Sequence, residues 1–271
     1  MLKLNVVFKL IRPLNSIISS TISAFLFYKI ENNLAGSIWV WISIFFTITF
    51  GFAINDFFDH EKDKIYPEKH VIAAGLLSRK HVFFLSLLLF FFGFISSFFL
   101  SDFRQSIIII LLIVLAIYSY INNNYGVLAN VLVGFCSSLS ILIAMDNFIS
   151  SSISISSICV FFFIIGREII KDIHDVDADR VIRKSSLPIN FDNNFAFYVS
   201  VFCTFLSLSI ALIYGFISND FNFMFFMIIA HIVYLIFAFI YFMSNYQESK
   251  YNSYSLASKL SFLILLPALL I

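Results

Sequence analysis

The sequence predicts an all-α, polytopic membrane protein: a bundle of nine transmembrane helices around a central cavity, with the N-terminus in the cytoplasm. Three observations carry that expectation. Of the 271 residues, 61% are hydrophobic and only 12% are charged, about half the ~25% usual for a soluble domain. The apolar runs are long and lack period-2 alternation, which favours helices over a β-barrel. The Lys and Arg residues also sort to one side of those runs. With 17 basic and 16 acidic side chains, the chain could not cover the wet surface of a soluble globule. A soluble enzyme, a disordered chain and a disulfide scaffold are thereby excluded. The net charge of +1 carries no basic excess of the kind that marks nucleic-acid binding.

The runs lie at about 13–30, 38–58, 82–100, 106–122, 127–146, 153–173, 195–217, 221–243 and 255–271. Each approaches the roughly 20 residues needed to cross ~30 Å of hydrocarbon. The first run has no A-x-A-like site and opens a series, so it is a span and no signal peptide. Between runs two and three stand Lys62, Lys64, Lys69, Arg79 and Lys80. The end of run six and the loop after it carry Arg167, Lys171, Arg180, Arg183 and Lys184. Lys3, Lys9 and Arg12 precede run one, and Lys250 and Lys259 lie at run nine. Nine spans put all of these on one side, leaving only Lys29 and Arg104 on the other, and the positive-inside rule makes the crowded side cytoplasmic. The Ser/Ile-rich stretch 150–157 opens run six, and the polar stretch 246–254 predicts a loop. No linker divides the chain, so residues 1–271 read as a single domain. Cys136, Cys159 and Cys203 sit in apolar runs and read as small buried hydrophobes.

The acidic residues cluster. Asn55, Asp56, Asp59, Glu61 and Asp63 lie at the inner end of run two; Glu168, Asp172, Asp175, Asp177 and Asp179 lie at that of run six. Asp56, Asp59 and Asp63 are spaced i, i+3, i+7 and share one face if the helix continues; Asp172, Asp175 and Asp179 repeat the spacing. Three carboxylates on one face repel unless a cation sits among them, and Mg²⁺ is commonly shared between a few carboxylates and substrate phosphates. Two such arrays facing across a cavity would hold a diphosphate, with neighbouring Lys and Arg for its oxygens. The spacing makes Asp56, Asp59, Asp63, Asp172, Asp175 and Asp179 candidate metal ligands. Glu61 and Asp177 fall off the shared faces and read as solvated or lysine-paired. His60, His70 and His174 adjoin the arrays without forming a metal triad. His231, in mid-span, reads as a hydrogen-bonded packing residue, and Asp102, Asp146 and Asp220 read as solvated in outer loops.

These residues resemble the UbiA superfamily of intramembrane prenyltransferases. Asn55-Asp56-x-x-Asp59-x-x-x-Asp63 is similar to its first signature, and Lys171-Asp172-x-x-Asp175-x-x-x-Asp179-Arg180, followed by Leu187-Pro188, to its second. Arg12-Pro13-Leu14-Asn15 resembles the start of its helix one, and Asn130-Val-Leu-Val-Gly134 that of its helix five. The string 167–173 is close to the form in geranylgeranylglyceryl phosphate geranylgeranyltransferases. Departures are Lys69-His70-Val71 where many members have Asp-Arg-Pro, Ala73-Ala74-Gly75 for Pro-Ser-Gly, and no Lys in 121–126.

The resemblance implies Mg²⁺ held by the six aspartates, with Asp56, Asp59, Asp172 and Asp175 as the catalytic core, and transfer of a prenyl group from an allylic diphosphate, geranylgeranyl diphosphate in the subgroup. The acceptor is then the hydroxyl of a geranylgeranylglyceryl phosphate-like lipid. Aromatic prenyl transfer in quinone or chlorophyll synthesis and terpene cyclisation use the same fold. From a different class, a transporter is disfavoured because the carboxylates cluster at inner helix ends, away from the midplane. Substrate-binding candidates are Asn15, Asn55, Lys69, Arg79, Tyr118, Asn130, Lys171, Arg180 and Lys184. Among these, Asn15 and Asn130 serve either the diphosphate or a helix–helix hydrogen bond. Tyr118 either faces the cation or marks the membrane interface. The partners implied are the diphosphate, a lipid-like or aromatic acceptor and membrane lipids, with no nucleic acid and no obligate protein partner. The location implied is the cell membrane, with the site opening to the cytoplasm.

Overall fold

A computed structural model of the chain describes residues 4–65, 70–146 and 151–270. No β-strand forms among them, and nine helices of 17 residues or more coincide with the nine apolar runs. Six of these are long and apolar enough to cross a membrane, and Gly126–Leu142 is a shorter apolar helix. By contacts, the chain divides into two compact units. One comprises residues 1–125, 139–148 and 181–183; the other comprises 126–138, 149–180 and 184–271.

The first unit holds α1 (Leu4–Ile11), α2 (Pro13–Glu31), α3 (Leu34–Phe58), α4 (Arg79–Ser97) and α5 (Asp102–Ile121). Local signals set the ends. Asn33 caps α3 by accepting from the Gly36 N–H at 3.0 Å, Ser78 caps α4, and Asn32 closes α2 in the left-handed region, as short polar side chains do at helix termini. α3 is the hub and packs against α2, α4 and α5. Small residues permit the approach: a Cβ on Gly51 would sit 3.1 Å from the Leu115 methyls of α5. Buried Arg104 clamps the end of this unit away from the acidic array. Its guanidinium reaches Glu31 at 2.6 Å and Asp146 at 3.3 Å, and lies 4.5 Å over the Phe27 ring. Asp146 is therefore an ion-pair partner and not simply solvated, because a buried guanidinium needs carboxylates nearby.

The second unit holds most of α6 (Gly126–Leu142), then α7 (Ser151–His174), α8 (Val176–Val181), α9 (Leu187–Asn190), α10 (Asn193–Ser218), α11 (Phe221–Met243) and α12 (Glu248–Leu270). α7 packs on α10 and α12, and α11 packs on α10 and α12. A Cβ on Gly166 would stand 2.8 Å from the Ser200 carbonyl, and the Ser200 hydroxyl uses that closeness to donate to the Gly166 carbonyl at 2.7 Å. His231 is fully buried. Its ring bridges the Met227 carbonyl at 2.7 Å and the Ser207 hydroxyl at 2.9 Å, and Ser207 donates to the Cys159 carbonyl. It is the packing residue expected of a satisfied polar group at membrane depth.

Two sequence expectations are corrected here. The stretch 246–254 is not all loop: α12 starts at Glu248, an acidic residue favoured in a first turn. Asp220 is not merely solvated; it caps α11 by accepting from the Phe223 N–H at 2.9 Å.

Candidate active site

In the first unit, α3 stops at Phe58 and the chain continues as a 3₁₀ helix, Asp59–Ile65. The continuous α-helical face assumed for Asp56, Asp59 and Asp63 is therefore interrupted, because a 3₁₀ turn has three residues where an α turn has 3.6. All three carboxylates are nonetheless buried, at 4%, 7% and 7% exposure. Each takes a partner from a different segment. The Arg12 guanidinium donates to Asp56 at 2.9 Å, the Asn55 amide to Asp59 at 2.7 Å, and His70 pairs with Asp63 at 2.9 Å. Arg12 reaches Asp56 from the junction of α1 and α2, where it holds a left-handed conformation (φ 46°) ahead of Pro13. Its guanidinium also lies 5.0 Å from the Phe52 ring centre. The Asn123 amide donates to the Phe58 carbonyl at 3.1 Å and ties down the turn that presents Asp59.

The second array also straddles a break: α7 ends at His174 and α8 begins at Val176, with Asp175 between them. Here one lysine serves two carboxylates. Lys184, 3% exposed, reaches Asp172 at 2.8 Å and Asp179 at 3.1 Å. The Asn130 amide donates to the other Asp172 oxygen at 2.7 Å. Burial alone would pull the Lys184 ammonium down, but Asp172 and Asp179 outweigh it and hold its pKa above the ordinary lysine value. The lysine is aimed by its backbone: Arg183 is left-handed (φ 56°) and the Lys184 N–H returns to the Asp179 carbonyl at 3.0 Å. Gly126 leaves room for the stem, since a Cβ there would lie 2.9 Å from Lys184 Cε. Asp175 pairs with His174 at 2.8 Å, and that imidazole stacks on Tyr251 at 3.6 Å. Buried Glu168 takes Arg167 and Lys171.

The other expected residues are dispersed. Asn15 is exposed, Tyr118 is half-buried, Lys171 and Arg180 are exposed, and Arg180 faces Asp177 at 3.6 Å. Arg79 is exposed on α4, 4.3 Å over the Phe57 ring. Lys69 lies outside the described residues. Glu61 and Asp177 are exposed and paired with Lys64 and Arg180, as their positions off the arrays predict. Sequence reasoning did not select Arg12, His70, Gly126 or Glu168 for the site. Arg12 was visible only as part of a helix-start motif, and Gly126 carries no chemistry of its own.

Among the described residues no three His, Cys, Asp or Glu side chains already converge as a metal cage. The donor set is nonetheless carboxylate oxygen, the ligand type that hard Mg²⁺ takes. Each cluster also concentrates buried negative charge that side-chain cations now balance. By donor chemistry, the residues fit a divalent ion.

Comparison with known proteins converges on one family. Residues 16–263 match the UbiA prenyltransferase family. Digeranylgeranylglyceryl phosphate synthase of Methanocaldococcus jannaschii is 29% identical over 215 residues, covering 76% of this chain and 75% of that protein. The enzyme of the same name from Methanosphaera stadtmanae is 25% identical, covering 78% of each. A solved structure of digeranylgeranylglyceryl phosphate synthase superposes with a TM-score of 0.76 at 24% identity, covering 100% of this chain and 98% of that one. A UbiA homologue from Archaeoglobus fulgidus bound to GPP and Mg²⁺ gives 0.71 at 13% identity, over 98% and 100%.

Proposed function

We propose, for a chain that belongs to the UbiA prenyltransferase family, that it is an ether-lipid prenyltransferase. It transfers a geranylgeranyl group from its allylic diphosphate to the hydroxyl of a geranylgeranylglyceryl phosphate-like acceptor. The observation that carries this reading is the shared name of relatives that match it over three quarters of both lengths. The chain acts as one catalytic domain in the cell membrane, N-terminus inside, with the site open to the cytoplasm; the charge sorting supports that orientation.

Asp56, Asp59, Asp63, Asp172, Asp175 and Asp179 would hold Mg²⁺. Bound Mg²⁺ supplies charge neutralisation to the departing diphosphate. The chain's own residues set up that chemistry. Arg12 and His70 fix the rotamers of Asp56 and Asp63, and Asn55 orients Asp59. Lys184 and Asn130 hold Asp172 with both oxygens directed, so little reorganisation is needed when charge develops. Exposed Lys171 and Arg180 offer ammonium and guanidinium groups to phosphate oxygens. The apolar helix faces accommodate the isoprenoid tail and keep water from the allylic cation.

The test uses purified protein in detergent with radiolabelled geranylgeranyl diphosphate, Mg²⁺, and either geranylgeranylglyceryl phosphate or a panel of aromatic acceptors. The expected product is a doubly prenylated glycerol phosphate, lost on adding EDTA. Product with an aromatic acceptor alone would overturn the ether-lipid assignment. Loss of diphosphate without any acceptor would point instead to cyclisation or hydrolysis.

A further inference from the structure

The outer face of α4 carries a feature the catalytic reading does not use. Lys80, Phe84, Leu88, Phe91 and Ile95 recur at i, i+4, i+8, i+11 and i+15 and therefore line one helix face. The four apolar members are 67%, 51%, 55% and 54% exposed, so this face is a continuous apolar stripe open to its surroundings. At about 1.5 Å per residue it runs roughly 22 Å from its cationic end. At that end a groove of about 530 Å³ is lined by Phe57, Arg79, Lys80, Phe83 and Phe84.

Arg79 is held in place. Arg79 lies 4.3 Å over the Phe57 ring and donates from Nε to the Phe57 carbonyl at 3.3 Å, which leaves its terminal nitrogens without a hydrogen bond among the described residues. Lys80 makes no ion pair among them. Glu61, a carboxylate that feels the Arg79 charge, is already bound to Lys64 at 2.6 Å and His60 at 3.0 Å. Both cations also stand in the first turn of a 19-residue helix, whose dipole is positive at that end. A paired cation site above a long apolar stripe matches a molecule with one phosphate head and long chains. Cationic side chains at span ends attract anionic lipid in this way.

We propose that this face of α4 is a binding site for an anionic membrane phospholipid. Its phosphate sits between Arg79 and Lys80, its glycerol region lies against Phe57 and Phe83, and its chains run along the Phe84–Ile95 stripe. The site does not depend on the catalytic reading. The alternative, set by the sequence expectation for Arg79, is service to the substrate's diphosphate.

The test is lipid retention by native mass spectrometry on the full-length protein in detergent. Phosphatidylglycerol and phosphatidylcholine of identical chains are compared for wild type, Arg79→Gln, Lys80→Gln, the double variant and a Lys250→Gln control. Wild type and the control should prefer phosphatidylglycerol about 25-fold. Each single variant should weaken it about fivefold and the double variant about 25-fold, with phosphatidylcholine unaffected. Melting temperatures confirm that the variants are folded. Undiminished phosphatidylglycerol retention in the double variant, or no preference in wild type, would overturn the site. A raised KM for the prenyl diphosphate in lipid-free detergent, with retention unchanged, would assign Arg79 to the substrate instead.

Discussion

The two acidic arrays have the same spacing in the sequence and different solutions in space. In the first, three carboxylates take three separate partners, Arg12, Asn55 and His70, drawn from the start of α2, from α3 itself and from beyond the 3₁₀ helix. In the second, a single buried ammonium spans Asp172 and Asp179. The first arrangement is distributed, and its cation Arg12 is itself 39% exposed in its side chain. The second is concentrated on a lysine that water scarcely reaches. The same motif therefore tolerates losses unequally: a partner lost from the first array strands one charge, while Lys184 strands two.

The largest expected effect follows directly. Lys184→Met should destabilise the protein by about 3–5 kcal/mol, the cost of breaking a buried pair from one side, and abolish prenyl transfer. Arg12→Gln should cost about 1–2 kcal/mol, because its partly exposed guanidinium is screened. Chemical denaturation in detergent measures both, and equal losses would break the comparison. Second, Asp56→Ala and Asp172→Ala should each lower turnover at least a hundredfold despite their different partners, read as product formed per minute. A milder substitution sharpens the picture: Gly126→Ala places a methyl against the Lys184 stem and should cost about 1–3 kcal/mol by overpacking. Gly75→Ala carries strain from φ +68° but meets no atom within 4 Å. It should cost about 1 kcal/mol with turnover retained.

A pH series probes the same lysine. Its pKa is raised in the folded protein. The stability it contributes is therefore fully present below the unfolded lysine value of about 10.4 and is lost only as pH rises through the higher folded value. The difference in melting temperature between wild type and Lys184→Met should stay constant from about pH 7 to 9.5. A decline within that window would mean that the ammonium titrates normally.

The helices were legible because apolar length is written continuously in the sequence: among the described residues every run overlaps a helix, six of them long and apolar enough to cross a membrane. The arrays were legible as residue types. Their breaks at Phe58 and Asp175 were not, since neither carries a Gly or Pro to announce the end of an α-helix. Lys184 was visible as a nearby cation, but its place between two carboxylates depends on the left-handed Arg183 and on Gly126 some 58 positions earlier. Arg12 escaped selection for a related reason: spacing of 44 residues to Asp56 leaves no periodic trace. Glu248 shows the opposite error, where local polarity suggested a loop and a favourable first-turn carboxylate began a helix.

The central proposal is that each array, built so differently, is a metal site. Mn²⁺ binding, followed by electron paramagnetic resonance in the presence of an unreactive geranylgeranyl diphosphate analogue, tests it most directly. The comparison is wild type against Asp56→Asn and Asp172→Asn. The account predicts at least tenfold weaker metal binding in each variant. Wild-type affinity in either one would show that its array is a structural ion-pair cluster and no part of a metal site.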